Sequence, residues 1–169
     1  MAPSHILIGP PGAGKSSVGK QLSKALSLSF TDTDAEIERE TGRKITDIFV
    51  EDGEAVFRQI EKKIVLDRVK NCEGVLSLGG GSVLDPEVAD SLRSNKSKVI
   101  YLEVSISNAA PRVGFNKERP LLAVNPRQQW LSLMEKRRPI YEELAGIKIS
   151  TDGKKPNEVA REIKERSAV

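Results

Sequence analysis

Gly9-Pro10-Pro11-Gly12-Ala13-Gly14-Lys15-Ser16 follows the short apolar run His5 to Ile8 and precedes a segment with the spacing of an amphipathic helix. It fills every fixed position of the phosphate-loop pattern GxxxxGK[ST], in the strand, loop, helix context that the pattern requires. Glycines let successive backbone N–H groups converge on phosphate oxygens, and the helix behind them contributes the positive end of its dipole. Lys15 is placed to neutralise charge on the β- and γ-phosphates, and Ser16 to offer its hydroxyl to Mg²⁺. The expected ligand is a nucleoside triphosphate.

Outward from this loop, short apolar runs alternate with helical patterns. His5 to Ile8, Leu28 to Phe30, Val75 to Leu78, Val99 to Leu102 and Ile147 to Ile149 read as brief buried strands. Val18, Leu22, Ala25 and Leu26 form one helical stripe, and Val159, Ala160 and Ile163 another. Asp85-Pro86 and Asn125-Pro126 read as helix caps followed by proline at the first helical position. Such alternation predicts an α/β fold with a parallel sheet of about five strands, helices on both faces, and ligands beyond the carboxyl ends of the strands. Two stretches depart from it. Between about Asp34 and Val69 there are more helical patterns than one crossover needs, broken at Gly42 and Gly53, so part of this region is expected to stand off the sheet. Pro111 to Pro126 carries four helix-disfavouring residues around Lys117 and Arg119, and reads as a mobile basic flap.

Composition narrows the function classes. A chain of 169 residues with 38% hydrophobic and 30% charged residues is sized and built for one globular domain, and 4% aromatics is too few for a surface of stacked bases. No apolar run approaches the roughly 18 residues of a membrane span, and the start Met1 to Gly9 lacks the features of a leader, so a cytoplasmic protein is expected. One cysteine, Cys72, and one histidine, His5, cannot make a zinc site, which leaves oxygen ligands for any metal. The charge balance of 27 basic against 24 acidic residues, net +3, suits a small anionic ligand as well as an ordinary surface, and nucleic-acid binding has nothing more behind it.

Further chemistry is written after the other strands. Asp32-Thr33-Asp34 reads in part as a helix cap, with Thr33 and Glu36 in capping-box spacing. Its place beside the phosphate loop also lets Asp32 reach Mg²⁺ while Asp34 faces a second substrate, with Glu103 as the rival metal carboxylate. Gly79-Gly80-Gly81 is either a tight turn before Asp85 or backbone approaching a small ligand closely. Arg58 with Glu61 at i, i+3 reads as exposed helix decoration, and Lys136-Arg137-Arg138 as a solvated charge run near a helix break at Pro139. Trp130 fits a core position as well as one near the ligand.

The phosphate loop, Asp32-Thr33-Asp34, Phe57-Arg58 with Glu61, Leu78 to Gly81, Arg119-Pro120-Leu121-Leu122 and Arg137 to Tyr141 stand in the order found in shikimate kinases, and the chain resembles that family over nearly its whole length. The resemblance implies one P-loop kinase domain over 1–169 of the nucleoside monophosphate kinase type, with a substrate-binding region at about 33–61 and a lid at about 111–125. It implies transfer of the γ-phosphoryl group of ATP to the 3-hydroxyl of shikimate, by a monomer whose partners are these small molecules and neither nucleic acid nor membrane. Shikimate would be held by Asp34, Arg58, Gly80, Gly81 and Arg137. Gly12, Ala13, Gly14, Lys15, Ser16 and Ser17 would hold the ATP phosphates, Ser16 and Asp32 would hold Mg²⁺, Arg119 would swing over the phosphates, and Arg112 and Lys154 would lie near the adenine. Val113 and Lys154 depart from the threonine and arginine common in the family at those places.

Phosphoryl transfer through a loose transition state asks for alignment and charge neutralisation more than for a strong base. Asp34 is therefore expected to orient the acceptor hydroxyl and take its proton, with Lys15, Arg119 and Mg²⁺ stabilising the transferred group, and the lid to close with both ligands present. A kinase of gluconate or of a nucleoside monophosphate would share the loop. A nucleotide-dependent switch would share it too, although in Asn116-Lys117-Glu118-Arg119 an arginine replaces the aspartate of the guanine-reading motif.

Overall fold

Strands β1 (His5–Ile8), β2 (Phe30–Asp32), β3 (Val75–Ser77), β4 (Val99–Glu103) and β5 (Ile147–Ser150) pair in parallel in the order β2-β3-β1-β4-β5. The computed structural model describes residues 2–113 and 125–167, with the side chains of 111–113 outside the description. Among these residues the strands alternate with α1 (Lys15–Leu26), α2 (Thr33–Thr41), α3 (Ile45–Asp52), α4 (Glu54–Asn71), α5 (Pro86–Arg93), α6 (Ile106–Val113), α7 (Pro126–Leu144) and α8 (Pro156–Ser167). The central strands are apolar because both of their faces are covered: Ile6 sits opposite Leu76 on one side and Val99 on the other, and all three are fully buried. The parallel ladder brings the carboxyl ends of β1, β2 and β3 to one edge, where Gly9, Thr33 and Leu78 leave the sheet side by side.

The α/β alternation read from the sequence is thus observed, with local shifts. The second strand begins at Phe30 rather than Leu28, because Ser27 in the left-handed conformation (φ 56°) closes α1 and leaves Leu28 exposed. On α1 itself Val18 and Leu22 are buried as expected, whereas Ala25 faces solvent and Ser23 is buried in the stripe. Asp85 caps α5 as its sequence suggests, its Oδ1 accepting from the N–H groups of Glu87 and Val88. Asn125 does not cap α7 with its side chain: its own backbone is left-handed, φ 47°. The helix break expected at Pro139 does not occur. α7 runs through it, because the stripe Trp130, Met134, Arg137, Tyr141 and Leu144 is buried and holds the helix against the loss of one backbone bond.

Two apolar clusters form. The larger joins both faces of the sheet to α1, α4, α5, α7 and α8. A smaller one, Ile37, Ile45, Ile48, Phe57 and Ile64, belongs to α2, α3 and α4 alone. This is the part expected to stand off the sheet. Arg68 of α4 straps it to the base of α2 through Glu36 at 3.0 Å and Glu40 at 2.8 Å. The hydrogen bond from Arg39, seconded by that from Arg68, holds the Glu36 carboxyl below its usual value against the opposing effect of burial. Among the described residues no helix is long and apolar enough to cross a membrane.

Candidate active site

At the carboxyl end of β1 the chain turns under strain only glycine tolerates. Gly9 has φ 151°, and a Cβ there would stand 2.6 Å from the Leu102 carbonyl oxygen of the neighbouring strand. The loop then lifts away and re-enters at α1, whose first residue is Lys15. The Lys15 ammonium curls back over its own loop and donates to the carbonyls of Gly9 (2.7 Å) and Pro10 (3.1 Å). That places it at the mouth of an open cavity of about 410 Å³ bordered by Gly12, Ser16, Asp32, Asp34 and Gly80.

The Asp32-Thr33-Asp34 segment is arranged differently from a capping box. Asp32 is the cap, its Oδ1 accepting from the Asp34 N–H at 2.9 Å, while its Oδ2 accepts from the Ser16 hydroxyl at 2.6 Å. Thr33 is fully buried, and its Oγ1 accepts from the Gly79 N–H at 3.2 Å, so it ties this segment to the glycine loop. Glu36, the other half of the expected box, is instead engaged with Arg39 and Arg68. Ser16 and Asp32 thus bring a hydroxyl and a carboxylate oxygen together beside the cavity, the hard oxygen donors a magnesium ion takes alongside water and phosphate. Among the described residues no group of three or more His, Cys, Asp or Glu could hold a metal ion. Glu103 stands apart from this pair, near Lys148 at 3.9 Å.

Beyond the phosphate loop, two guanidinium groups meet the glycine loop. A Cβ on Gly81 would fall 2.6 Å from both terminal nitrogens of Arg58, and one on Gly80 would be 3.2 Å from Nη1 of Arg137. The triple glycine is therefore close approach of backbone to side chains, and not merely a turn. Arg58 is held by Glu61, Nη1 to Oε1 at 2.8 Å, and more loosely by Glu54 at 3.4 Å. Glu61 is 2% exposed, so this pair is no surface decoration: loss of the arginine would strand a buried carboxylate. Arg137 is likewise buried, at 4%, while Lys136 and Arg138 on either side are exposed, which splits the expected charge run into one inward and two outward members. The Tyr141 hydroxyl, from the same face of α7, donates to the Gly80 carbonyl at 2.6 Å.

Lys15, Ser16, Asp32, Asp34, Arg58, Gly80, Gly81 and Arg137 are thus gathered at one end of the sheet, with Gly12, Ala13, Gly14 and Ser17 in the loop between them. Lys154 lies after β5 with its ammonium paired to Glu162 of α8 at 2.8 Å, apart from the residues bordering the cavity. Arg112 is in the last turn of α6 with its side chain outside the described residues, and Arg119, with residues 114–124 of the lid expected at about 111–125, lies outside them altogether. Sequence reasoning read Thr33 as half of a capping box and left Trp130 between core and ligand, and it missed the contacts that Thr33, Tyr141 and Trp130 make. Each acts through a contact to a segment 46, 61 or 119 residues away, a distance at which no local pattern operates.

Comparison with known proteins follows the same lines. The family model described as shikimate kinase matches residues 11–168. A shikimate kinase of Rhodococcus jostii is 47% identical over 164 residues, covering 96% of each chain, and one of Streptomyces coelicolor is 46% identical over 160 residues, covering 95% of this chain and 92% of its own. The solved structure of shikimate kinase from Acinetobacter baumannii in complex with shikimate superposes with a TM-score of 0.92 at 35% identity, over 98% of this chain and 93% of that one. Deoxyadenosine kinase from M. mycoides, with a TM-score of 0.60 at 17% identity over 96% and 97% of the two chains, shares the fold. The fold is that of the P-loop kinases of the nucleoside monophosphate kinase type.

Proposed function

The chain belongs to the shikimate kinase family, and on that premise we propose that it transfers the γ-phosphoryl group of ATP to the 3-hydroxyl of shikimate, giving shikimate 3-phosphate and ADP on the route to chorismate and the aromatic amino acids. The observation that carries the reading is the pair of guanidinium groups, Arg58 at Gly81 and Arg137 at Gly80, on a glycine loop that Thr33 ties to the segment bearing Asp34. Two planar guanidinium groups on one short loop suit a carboxylate, which each can bind in a bidentate fashion. With the carboxylate held there, the ring hydroxyls of the acid face Asp34 and the phosphate loop.

Asp34 orients the acceptor hydroxyl and receives its proton as the O–P bond forms. Lys15 offsets charge on the transferred group, and Arg119 of the lid joins it there. Gly12, Ala13, Gly14 and Ser17 contribute the phosphate cradle, and Arg112 and Lys154 the adenine side. Ser16 and Asp32 would hold Mg²⁺, which when bound would supply positive charge at the phosphate oxygens. The region of about 33–61 is assigned to the acceptor and the lid of about 111–125 to the donor, within one domain spanning 1–169. The reading includes a cytoplasmic monomer that works on two small molecules, with neither nucleic acid nor membrane as partner.

The test is a panel of acceptors with Mg·ATP, scored by ADP release and by the phosphorylated product. Shikimate is expected to be phosphorylated, with gluconate and nucleoside monophosphates near background. Equal turnover of gluconate, or slow hydrolysis indifferent to every acceptor, would refute the assignment. Within that assay Arg58→Ala should raise the KM for shikimate by roughly 10–100-fold, the effect of losing a charge-assisted hydrogen-bonded pair, and leave the KM for ATP within about twofold. An unchanged shikimate KM removes Arg58 from the site.

A further inference from the structure

Trp130 is the protein's single tryptophan. It is 3% exposed on α7, and its indole Nε1 donates to the Pro11 carbonyl of the phosphate loop at 2.8 Å. The place of that carbonyl in the loop gives the bond its meaning. The Ala13 N–H donates to the Pro10 carbonyl at 3.2 Å, and Gly12 has φ 87°, so Pro10 to Ala13 form a turn with proline at its second position and a left-handed glycine at its third. These are the marks of a type II turn, which differs from type I by the flip of its central peptide plane, here the one joining Pro11 to Gly12. The proline ring fixes φ at Pro11 and leaves ψ as the free dihedral. In a trans peptide the carbonyl and the following N–H point in opposite directions, so an acceptor held toward the indole turns the Gly12 N–H to the far side of that plane.

The helix that delivers the indole is anchored at the acceptor end as well. Arg137 and Tyr141 lie within about 20° either side of Trp130 around the helix axis at 3.6 residues per turn. Arg137 and Tyr141 meet Gly80, the former by close approach and the latter through its hydroxyl at 2.6 Å. One face of α7 therefore touches both the phosphate loop and the glycine loop.

We propose that Trp130 is a positioning residue for the nucleotide: its indole N–H fixes the Pro11–Gly12 peptide plane and so holds the phosphate loop in the shape that receives phosphate. The inference rests on the kinase reading for what the loop binds. It differs from a packing role in being selective, because the indole contacts the donor loop and leaves the acceptor side to Arg137 and Tyr141.

The experiment compares wild type, Trp130→Phe and a protein carrying the isosteric tryptophan analogue β-(3-benzothienyl)alanine at 130, in which sulfur replaces the N–H. Titration calorimetry measures Mg·ADP and shikimate separately, with thermal unfolding as the control. In both altered proteins the Kd for Mg·ADP should rise about fivefold, the equilibrium factor for one neutral hydrogen bond. The Kd for shikimate should stay within about twofold, and the analogue should melt within a few degrees of wild type, the shift that loss of one hydrogen bond brings. Unchanged Mg·ADP binding, or Mg·ADP and shikimate binding weakened together, overturns the proposal. If the phenylalanine protein fails to fold, the analogue decides alone. Failure of the wild-type protein to phosphorylate shikimate would be seen separately, in the acceptor panel, and counts against the kinase reading without altering what Mg·ADP titration says of Trp130.

Discussion

Lys15→Ala should lower kcat by roughly 10²–10³-fold, the loss that follows removal of one fixed stabiliser of transition-state charge. The size of the effect follows from how the ammonium is held. It is tethered to the carbonyls of Gly9 and Pro10, at the lip of the cavity, so it is held beside the loop whose pattern receives phosphate. Among the described residues bordering that cavity it is the one cationic side chain, so none of those neighbours can take over its charge. Steady-state turnover with saturating shikimate and Mg·ATP measures the effect, with thermal unfolding to show that the fold survives. A kcat within threefold of wild type would remove Lys15 from the transition state. The variant should fold well, because the two hydrogen bonds that are lost are made by a polar group that can be replaced by water at the cavity mouth.

Asp34→Asn is the second large effect. Proton acceptance by a positioned carboxylate contributes roughly 10²–10⁴-fold, and an amide in the same place can hold a hydroxyl but cannot take its proton. Asparagine keeps the main-chain N–H that bonds to Asp32 Oδ1, so the start of α2 and the Asp32 to Ser16 contact stay in place. The expected result is a loss of roughly 10²–10⁴-fold in single-turnover phosphoryl transfer, with Mg·ADP binding by calorimetry unchanged within about twofold. A variant that transfers phosphate at the wild-type rate refutes the role given to Asp34.

What the sequence could disclose about this molecule depended on how far apart the cooperating residues lie. The phosphate loop is contiguous, and its glycines, lysine and serine do their work within one turn, so fold and donor site were legible there. The Asp32-Thr33-Asp34 segment was legible in part: the carboxylates were visible, but the capping residue was misplaced by one, because only the fold shows that Thr33 turns inward to Gly79 and frees Asp32 for the cap. Arg58 and Glu61 looked like an ordinary surface pair, since helical spacing is silent about which side of the helix is covered. Arg137 stood in a charge run for the same reason, and only the family resemblance, not the spacing, assigned both arginines to shikimate. The helix through Pro139 could not be read locally at all, because burial of Met134, Arg137 and Tyr141 outweighs the lost backbone bond. The close packing of Arg58 on Gly81 explains the third glycine, and that reason appears only when α4 and the glycine loop are seen together.

The small apolar cluster of Ile37, Ile45, Ile48, Phe57 and Ile64 has a consequence for how such an enzyme can change. Its members come from α2, α3 and α4, and of these helices only α4 also reaches the larger core, through the buried Val65 and Val69. On the proposed function, and provided that Val65 and Val69 keep α4 seated on the sheet, the pieces that carry the acceptor can thus be rebuilt like an exchangeable tool head, by repacking one five-residue interior. Retargeting to a different hydroxylated acid should begin with those positions and the arginine that leans on Gly81.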